Sequence, residues 1–297
     1  MASCILNAAG IHLGGSMDVL NAHFQFLQRT EIGTAIIVIE DVKLGRQIST
    51  LHATLYQYAL LPKAPWITHG STRKEITGYL TMTALRGEQG VSLPTPFTLQ
   101  HPVAAPPRPD FAALRENRDA NWVRFDFPKG SPLSYARCLQ NCVYYDPRGG
   151  QRSNQVIDKW VRLACGENFN ETSLGYVSDS FPYVVEAQRP SRKEAEENKR
   201  RGESIPFPPE ARFWYPTLVL NLEIKKALPR EGLEWLQMRV QSKQIKNGRL
   251  DLEVVLLDER GELVAISNHV NLILDSSRNT AERTRTGDAA KEPLSHI

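Results

Sequence analysis

Nucleophilic and metal-ligating residues are few and widely spaced in this chain. Its 297 residues include four cysteines and seven histidines. Cys138 and Cys142 are four positions apart, but no further cysteine or histidine lies close by to complete a zinc site, so we interpret both as packing residues. Five of the histidines, from His12 to His101, are too scattered to suggest a metal site. The sequence therefore predicts a protein that uses no metal or other cofactor.

The motifs of several large enzyme classes are also missing. The segment GGSMD at 14–18 approaches the serine-hydrolase pattern G-x-S-x-G but lacks the final glycine. Neither a P-loop nor G-x-G-x-x-G occurs, which argues against nucleotide hydrolysis and a dinucleotide cofactor. The formal net charge of +3 gives no argument for nucleic-acid binding. No apolar run is long enough to span a membrane, and we expect no membrane span.

Two stretches of the chain alternate apolar and polar residues with the period of a half-buried strand. The clearer one runs from 213 to 274, where turn residues separate four predicted strands. Its first strand is apolar at every second position, at Leu218, Leu220, Leu222 and Ile224. The earlier stretch begins with the same alternation from Leu20 to Phe26 and continues with strands at Ile36–Asp41, Ile48–Tyr56 and Glu75–Leu85. Shorter strands are predicted at Trp122–Phe127, Gln140–Tyr145 and Gln155–Leu163.

A helical segment precedes each stretch of strands. The first is Ala2–Leu13, and the second begins at Asn170, a good N-cap residue. The second helix has an apolar stripe, but Pro182 removes the amide that would bond to the Ser178 carbonyl. The helix should therefore kink or end beside Asp179, where the carboxylate could either serve chemistry or bond a free backbone amide.

The repeated order of a helix followed by strands predicts an internal duplication. Ala35–Val42 matches Trp235–Ser242, and a Gly-Arg pair occupies the same hairpin in both copies. We divide the chain into a first repeat at 1–87, a proline-rich extended connector at 88–121, a second repeat at 122–275 and a disordered tail at 276–297. The charged segment Arg189–Glu203 is predicted to be an exposed loop.

This arrangement resembles the double hot-dog fold of acyl-CoA thioesterases of the TesB type, an α+β fold. The segments that carry the resemblance are LGYVSDSFPYVVE, WYPTLVLNLEIKKALP and GELVAISNHVNLIL. In that family a strand opens the first repeat, whereas Met1 falls where the helix is already under way. The resemblance thus implies a first repeat without its opening strand, with a sheet edge left bare or paired with another chain. A truncated gene model would explain the same observation.

The resemblance also implies a catalytic group. The family's aspartate falls on Asp179 and its threonine on Thr217, while His269 stands where the family has glutamine. Asp179 would activate a water, Thr217 would hold that water, and His269 would assist as a donor or base.

Three functions follow from these expectations. The first is an acyl thioesterase that hydrolyses an acyl-CoA or an acyl chain on a carrier protein. The second is a non-catalytic acyl-CoA-binding or scaffolding protein, since His269 replaces the glutamine. The third is a dehydratase or cyclase acting on a polyketide-like thioester. We expect a cytoplasmic protein that could form a homo-oligomer, although the final residues Ser295–Ile297 loosely resemble a peroxisomal address.

Overall fold

The computed structural model describes residues 1–126, 136–203 and 209–280. Within these ranges the chain forms fourteen strands and five α-helices. The strands are β1 Asp18–Phe26, β2 Ile36–Lys43, β3 Ile48–Gln57, β4 Arg73–Thr83, β5 Trp122–Arg124, β6 Cys142–Pro147, β7 Val156–Leu163, β8 Phe213–Trp214, β9 Thr217–Ile224, β10 Leu236–Gln241, β11 Ile245–Lys246, β12 Arg249–Leu257, β13 Leu263–Leu272 and β14 Leu274–Asp275. The helices are α1 Ala2–His12, α2 Phe111–Arg115, α3 Glu171–Val177, α4 Arg192–Arg201 and α5 Ser277–Thr280.

One antiparallel sheet of twelve strands runs through both halves of the chain. Its order is β2-β3-β4-β1-β9-β13-β12-β10-β7-β6-β5, and β11 pairs with β12. The halves meet where β1 pairs antiparallel with β9, with Ala22 opposite Leu222. Strands β8 and β14 form a separate two-stranded sheet. The two predicted sheets are therefore halves of a single sheet.

The strand order shows the predicted duplication. Strands β2-β3-β4-β1 of the first half correspond to β10-β12-β13-β9 of the second, in mirrored order about the β1–β9 junction. The halves differ at their far ends, because β10 also pairs with β7, whereas β2 has only β3 beside it among the described residues. The edge of β2 away from β3 is therefore unpaired among the described residues.

Helices α1 and α3 pack against each other over the apolar face of the sheet. Buried residues of α1, such as Ile5, belong to one apolar cluster with Leu174 of α3 and Leu220 of β9. The helices approach closely at Gly175, where an added Cβ would lie 2.7 Å from Leu6 Cδ1 and 3.0 Å from the Ser3 nitrogen. The contact therefore requires a residue without a side chain at position 175.

The proline-rich connector covers the outer face of the second half. Leu99 packs on Val255 and Leu257 of β12. The buried Arg239 of β10 forms an ion pair with Asp158, with 2.7 Å between Nη2 and Oδ2, and also donates to connector carbonyls at positions 101 and 103. The connector is not wholly extended, because it contains α2.

The prediction of a loop over Arg189–Glu203 is wrong. Residues Arg192–Arg201 form α4, which begins with a capping box between Ser191 and Glu194. It ends at Gly202, whose φ of 70° suits glycine. A Glu197–Arg201 ion pair spans one turn. These local interactions stabilise a helix that lacks the apolar stripe by which helices are recognised in sequence.

The predicted tail lies mostly outside the described residues. Its first part, 276–280, forms a turn and α5. Residues 281–297, with the proposed peroxisomal address, are not described, and neither is Phe127 at the end of a predicted strand. In the described ranges no helix combines the length and apolar character needed to cross a membrane.

Candidate active site

The fold brings the three predicted site residues to one place. Thr217 is the first residue of β9, and His269 lies on the neighbouring strand β13, where its Cα pairs with that of Leu220. Asp179 lies two residues beyond the end of α3. Because α3 packs across the sheet that contains β9 and β13, the end of this helix carries Asp179 to Thr217 and His269.

The turn that holds Asp179 is fixed by local hydrogen bonds. Helix α3 ends at Val177, as expected from Pro182, and a 3₁₀ helix begins at Tyr183. The Ser178 hydroxyl donates to the Leu174 carbonyl at 2.7 Å, and the Ser180 hydroxyl donates to the Val177 carbonyl at 2.8 Å. The hydroxyls on either side of Asp179 thus satisfy carbonyls of the last helical turn, which restricts the direction of its side chain.

Buried Lys159 contacts the aromatic ring of Phe181, two residues after Asp179. The Lys159 ammonium lies 4.3 Å from the ring centroids of both Phe125 and Phe181, and 2.5 Å from the Asp146 carboxylate. Burial lowers the pKa of Lys159 from its ordinary value, against the raising effect of Asp146. Since Phe181 follows Asp179 by two residues, this cation–π contact anchors the turn to β7.

One hydrogen bond and one longer polar contact meet at a single oxygen of Asp179. The Thr217 hydroxyl lies 2.7 Å from Asp179 Oδ1, and His269 Nδ1 lies 3.4 Å from the same oxygen. On its other side, His269 Nε2 is 2.8 Å from the Ser267 hydroxyl. The Asp179 side chain is 28% exposed, whereas that of His269 is 1% exposed. His269 therefore lies beneath the carboxylate, away from solvent.

Two further polar residues of β13 belong to this network and were missed in the sequence. Asn271 donates from Nδ2 to Thr217 Oγ1 at 2.9 Å, and Ser267 contacts His269. Ser267, His269 and Asn271 are all buried. They occupy alternate positions of one strand and so share its inner face. This alternation of buried polar residues was the signal that could have revealed them.

Asp179 and Thr217 line a cleft between the two halves of the chain. The cleft has a volume of about 790 Å³. Tyr183, Trp214 and Tyr215 form an aromatic part of its wall, and residues 26–30 of the first half form another part. His269 and Asn271 do not line it. The lining is mixed, with aromatic and aliphatic side chains beside polar ones such as Arg29 and Asn279, so the cleft could take a ligand that has both apolar and polar parts.

Cys138 also lines the cleft. Burial raises the pKa of its thiol, and the negative charge of Asp179 raises that pKa further. Among the described residues, no cluster of three or more histidine, cysteine or acidic side chains has the arrangement of a metal site.

Comparison with known proteins assigns the chain to a family. Residues 1–82 match the family model described as the acyl-CoA thioesterase N-terminal domain, and residues 102–273 match that of the acyl-CoA thioesterase C-terminal domain. The thioesterase-like protein TwmA of Talaromyces wortmannii is 41% identical over 307 aligned positions, which cover 97% of this chain and 86% of the relative.

Solved structures support the fold. A protein with a hot dog fold from Alicyclobacillus acidocaldarius superposes with a TM-score of 0.60 at 14% identity, covering 92% of this chain and 84% of the other. The acyl-CoA thioesterase II TesB2 of Mycobacterium marinum superposes with a TM-score of 0.54 at 14% identity, covering 93% and 91%. This chain therefore belongs to the acyl-CoA thioesterase family of the TesB type, a family of thioester hydrolases, and has its α+β double hot-dog fold.

Proposed function

We propose that the protein hydrolyses an acyl thioester, with Asp179 as the general base that activates a water. The observation that carries the proposal is the unequal use of the two carboxylate oxygens. Oδ1 accepts the Thr217 hydrogen bond and faces His269, while no described residue donates a hydrogen bond to Oδ2. Because Asp179 lines the cleft, Oδ2 is the oxygen available to a water there.

The contacts of Thr217 and His269 suit them to hold the base rather than the water. The single hydrogen of the Thr217 hydroxyl is directed to Asp179 Oδ1. His269 Nε2 is hydrogen-bonded to the Ser267 hydroxyl, whereas its Nδ1 lies 3.4 Å from Asp179 Oδ1 and has no hydrogen-bond partner among the described residues. We therefore assign Thr217 to orienting the carboxylate, where the resemblance assigned it to the water, and place His269 behind that carboxylate.

The cleft supports a substrate with a substantial apolar acyl group. Its volume of about 790 Å³ and its aromatic wall, with Tyr183 and Tyr215 in an edge-to-face contact of 5.5 Å between centroids, fit a chain or ring system carried as a thioester. Coenzyme A and a carrier protein present the same phosphopantetheine thioester, so both are proposed as carriers. Attack by water would break the carbon–sulfur bond and release the acid and the free thiol.

The position of His269 disfavours the dehydratase alternative. A dehydratase needs its histidine in the cleft, where the imidazole can take a proton from the substrate. The 1% exposed side chain of His269 lies beneath Asp179 instead. An acyl-binding protein without catalysis remains the rival function, and turnover separates the two.

The test is turnover of a panel of acyl-CoAs by the wild type and by Asp179→Asn. We expect kcat to fall by about 10²–10⁴-fold, which is the usual contribution of a general base. Asp41→Asn, an exposed aspartate of the first half, serves as the matched control and should retain activity. Undiminished hydrolysis by Asp179→Asn would rule out the proposed base. Tight binding without release of thiol would favour the binding protein, and a dehydrated but intact thioester would favour the dehydratase.

A further inference from the structure

Asn271 is the only carboxamide that contacts the Asp179–Thr217 pair among the described residues. It is fully buried near the end of β13, where its Cα pairs with that of Thr217. Its Nδ2 donates to Thr217 Oγ1 at 2.9 Å. Its Oδ1 is buried and has no hydrogen-bond partner in the described parts of the chain.

The nitrogen of a carboxamide can donate but cannot accept, so it sets the direction of the hydrogen bond to Thr217. Thr217 Oγ1 must accept from Asn271, and its one hydrogen is then free for Asp179 Oδ1 at 2.7 Å. If the amide were turned over, its oxygen would take the Thr217 hydrogen. The close contact between Thr217 and Asp179 would then need a proton on the carboxyl group. The two amide orientations therefore correspond to the two protonation states of Asp179.

We propose that Asn271 is a positioning residue that directs the Thr217 hydrogen to Asp179 Oδ1 and thereby fixes the orientation of the carboxylate. This role rests on the proposed hydrolysis, in which Asp179 is the base.

The unpaired oxygen of Asn271 argues for a functional role. A buried polar atom without a partner destabilises the fold, and an apolar side chain of similar size would avoid that loss. The donating nitrogen is the feature that such an apolar side chain lacks. Asn271 therefore has one atom, Oδ1, that destabilises the fold, and one atom, Nδ2, that sets the direction of the hydrogen bond to Thr217.

Asn271→Asp tests the inference because it exchanges the donor for an acceptor at nearly constant shape. An aspartate draws the Thr217 hydrogen away from Asp179 and adds a negative charge, and both changes favour protonation of Asp179. We expect the acidic limb of the kcat/KM profile to move up by about one pH unit or more, with kcat reduced even above that limb and KM nearly unchanged. Asn268→Asp, on the exposed side of the same strand, adds the same charge and should leave the profile in place.

A second measurement does not depend on turnover. Carboxyl ¹³C NMR of aspartate-labelled protein, with the Asp179 signal assigned by Asp179→Asn, follows the protonation of this group directly. Its midpoint should rise in Asn271→Asp and stay unchanged in Asn268→Asp. If the midpoint rises but no thioester is hydrolysed by the wild type, the positioning role stands and the proposed function fails.

The inference is overturned if Asn271→Asp keeps the wild-type midpoint and the wild-type pH profile. Should that variant not fold, Asn271→Leu removes the donor without adding a charge. We expect its kcat to fall by about tenfold, as the freed hydroxyl no longer points to Asp179 in every molecule. A wild-type kcat in Asn271→Leu would equally overturn the inference.

Discussion

Asp179 differs from a surface aspartate in the way its two oxygens are used. One oxygen accepts the Thr217 hydrogen bond and faces His269, and no described residue donates a hydrogen bond to the other. A carboxylate held in this way has a defined direction. In the proposed reaction, an incoming water would therefore meet one oxygen at a fixed place.

Cys138 can report the charge of Asp179. Burial and the Asp179 carboxylate both raise the pKa of the Cys138 thiol, so removing that charge with Asp179→Asn should lower the pKa. A lower pKa increases the thiolate fraction at pH 8, and we expect faster alkylation of Cys138 by iodoacetamide, followed by peptide mass spectrometry. An unchanged alkylation rate would show that the carboxylate does not act on this thiol.

Cys142 provides the internal control for this experiment. Burial raises the pKa of its thiol to about 11, and the residue is buried. It should resist alkylation at pH 8 in the folded wild type and in the folded variant alike. Labelling of Cys142 would signal unfolding rather than a change of charge.

Sequence reasoning reached the candidate site only in part. The resemblance pointed to Asp179, Thr217 and His269, which the structure brings together, and their catalytic roles stay predictions. Asn271 could not be assigned to Thr217, because a register shift between Val270 and Asn271 decides which residue faces it. Without that β-bulge, Asn271 would lie opposite Leu218. The alternation of residues in a sequence predicts which face of a strand each side chain lies on, but it does not predict a shift in the pairing of two strands.

At the scale of elements, the crossing of α1 and α3 decides where Asp179 lies. Gly175→Ala would place a Cβ 2.7 Å from Leu6 Cδ1 and 3.0 Å from the Ser3 nitrogen. Alanine favours helix by up to about 1 kcal/mol over glycine, but overpacking typically costs about 1–3 kcal/mol. Because a backbone atom is among the contacts, we expect a net loss of roughly 1 kcal/mol in the free energy of unfolding, measured by urea denaturation, together with a lower kcat.

Gly10→Ala is the matched control for this crossing. Gly10 lies in α1, and no atom would come within 4 Å of its added Cβ. The substitution should stabilise the protein by up to about 1 kcal/mol and leave kcat unchanged. If Gly175→Ala were also stabilising, the contact between the helices would be looser than the structure indicates.

The elements differ in how well their sequences predicted them. The strands and α1 follow from apolar periodicity, because both bury one face on the core. Helix α4 was missed because Ala195 is the one buried residue among its described side chains, and its stability comes from a capping box and side-chain pairs. Periodicity detects burial, so it overlooks a helix that buries almost nothing.

At the scale of the whole molecule, β2 forms one end of the large sheet. Its first four residues, 36–39, are all apolar, and Ile32 just before it is fully exposed. Among the described residues β2 pairs only with β3. An open edge of this character favours pairing with a further strand.

We expect the protein to self-associate with increasing concentration through antiparallel pairing of β2 with the same strand of a second copy. Val38→Lys puts a charge on this edge and should lower the apparent mass in sedimentation velocity runs at matched concentrations. Tyr79→Lys places the same charge on the interior strand β4, where the side chain is exposed, and should not alter it. A wild type that stays monomeric at every concentration would contradict the prediction.

The close contact at Gly175 means that both halves of the chain determine the geometry of the candidate site. Asp179, Thr217 and His269 all come from the second half, yet α1 sets the depth at which α3 lies, and residues 26–30 form part of the cleft wall. In the proposed reaction, the first half would therefore fix the position of Asp179 relative to Thr217 and His269. A protein reduced to the second repeat would keep all three of these side chains and lose the surface that spaces them.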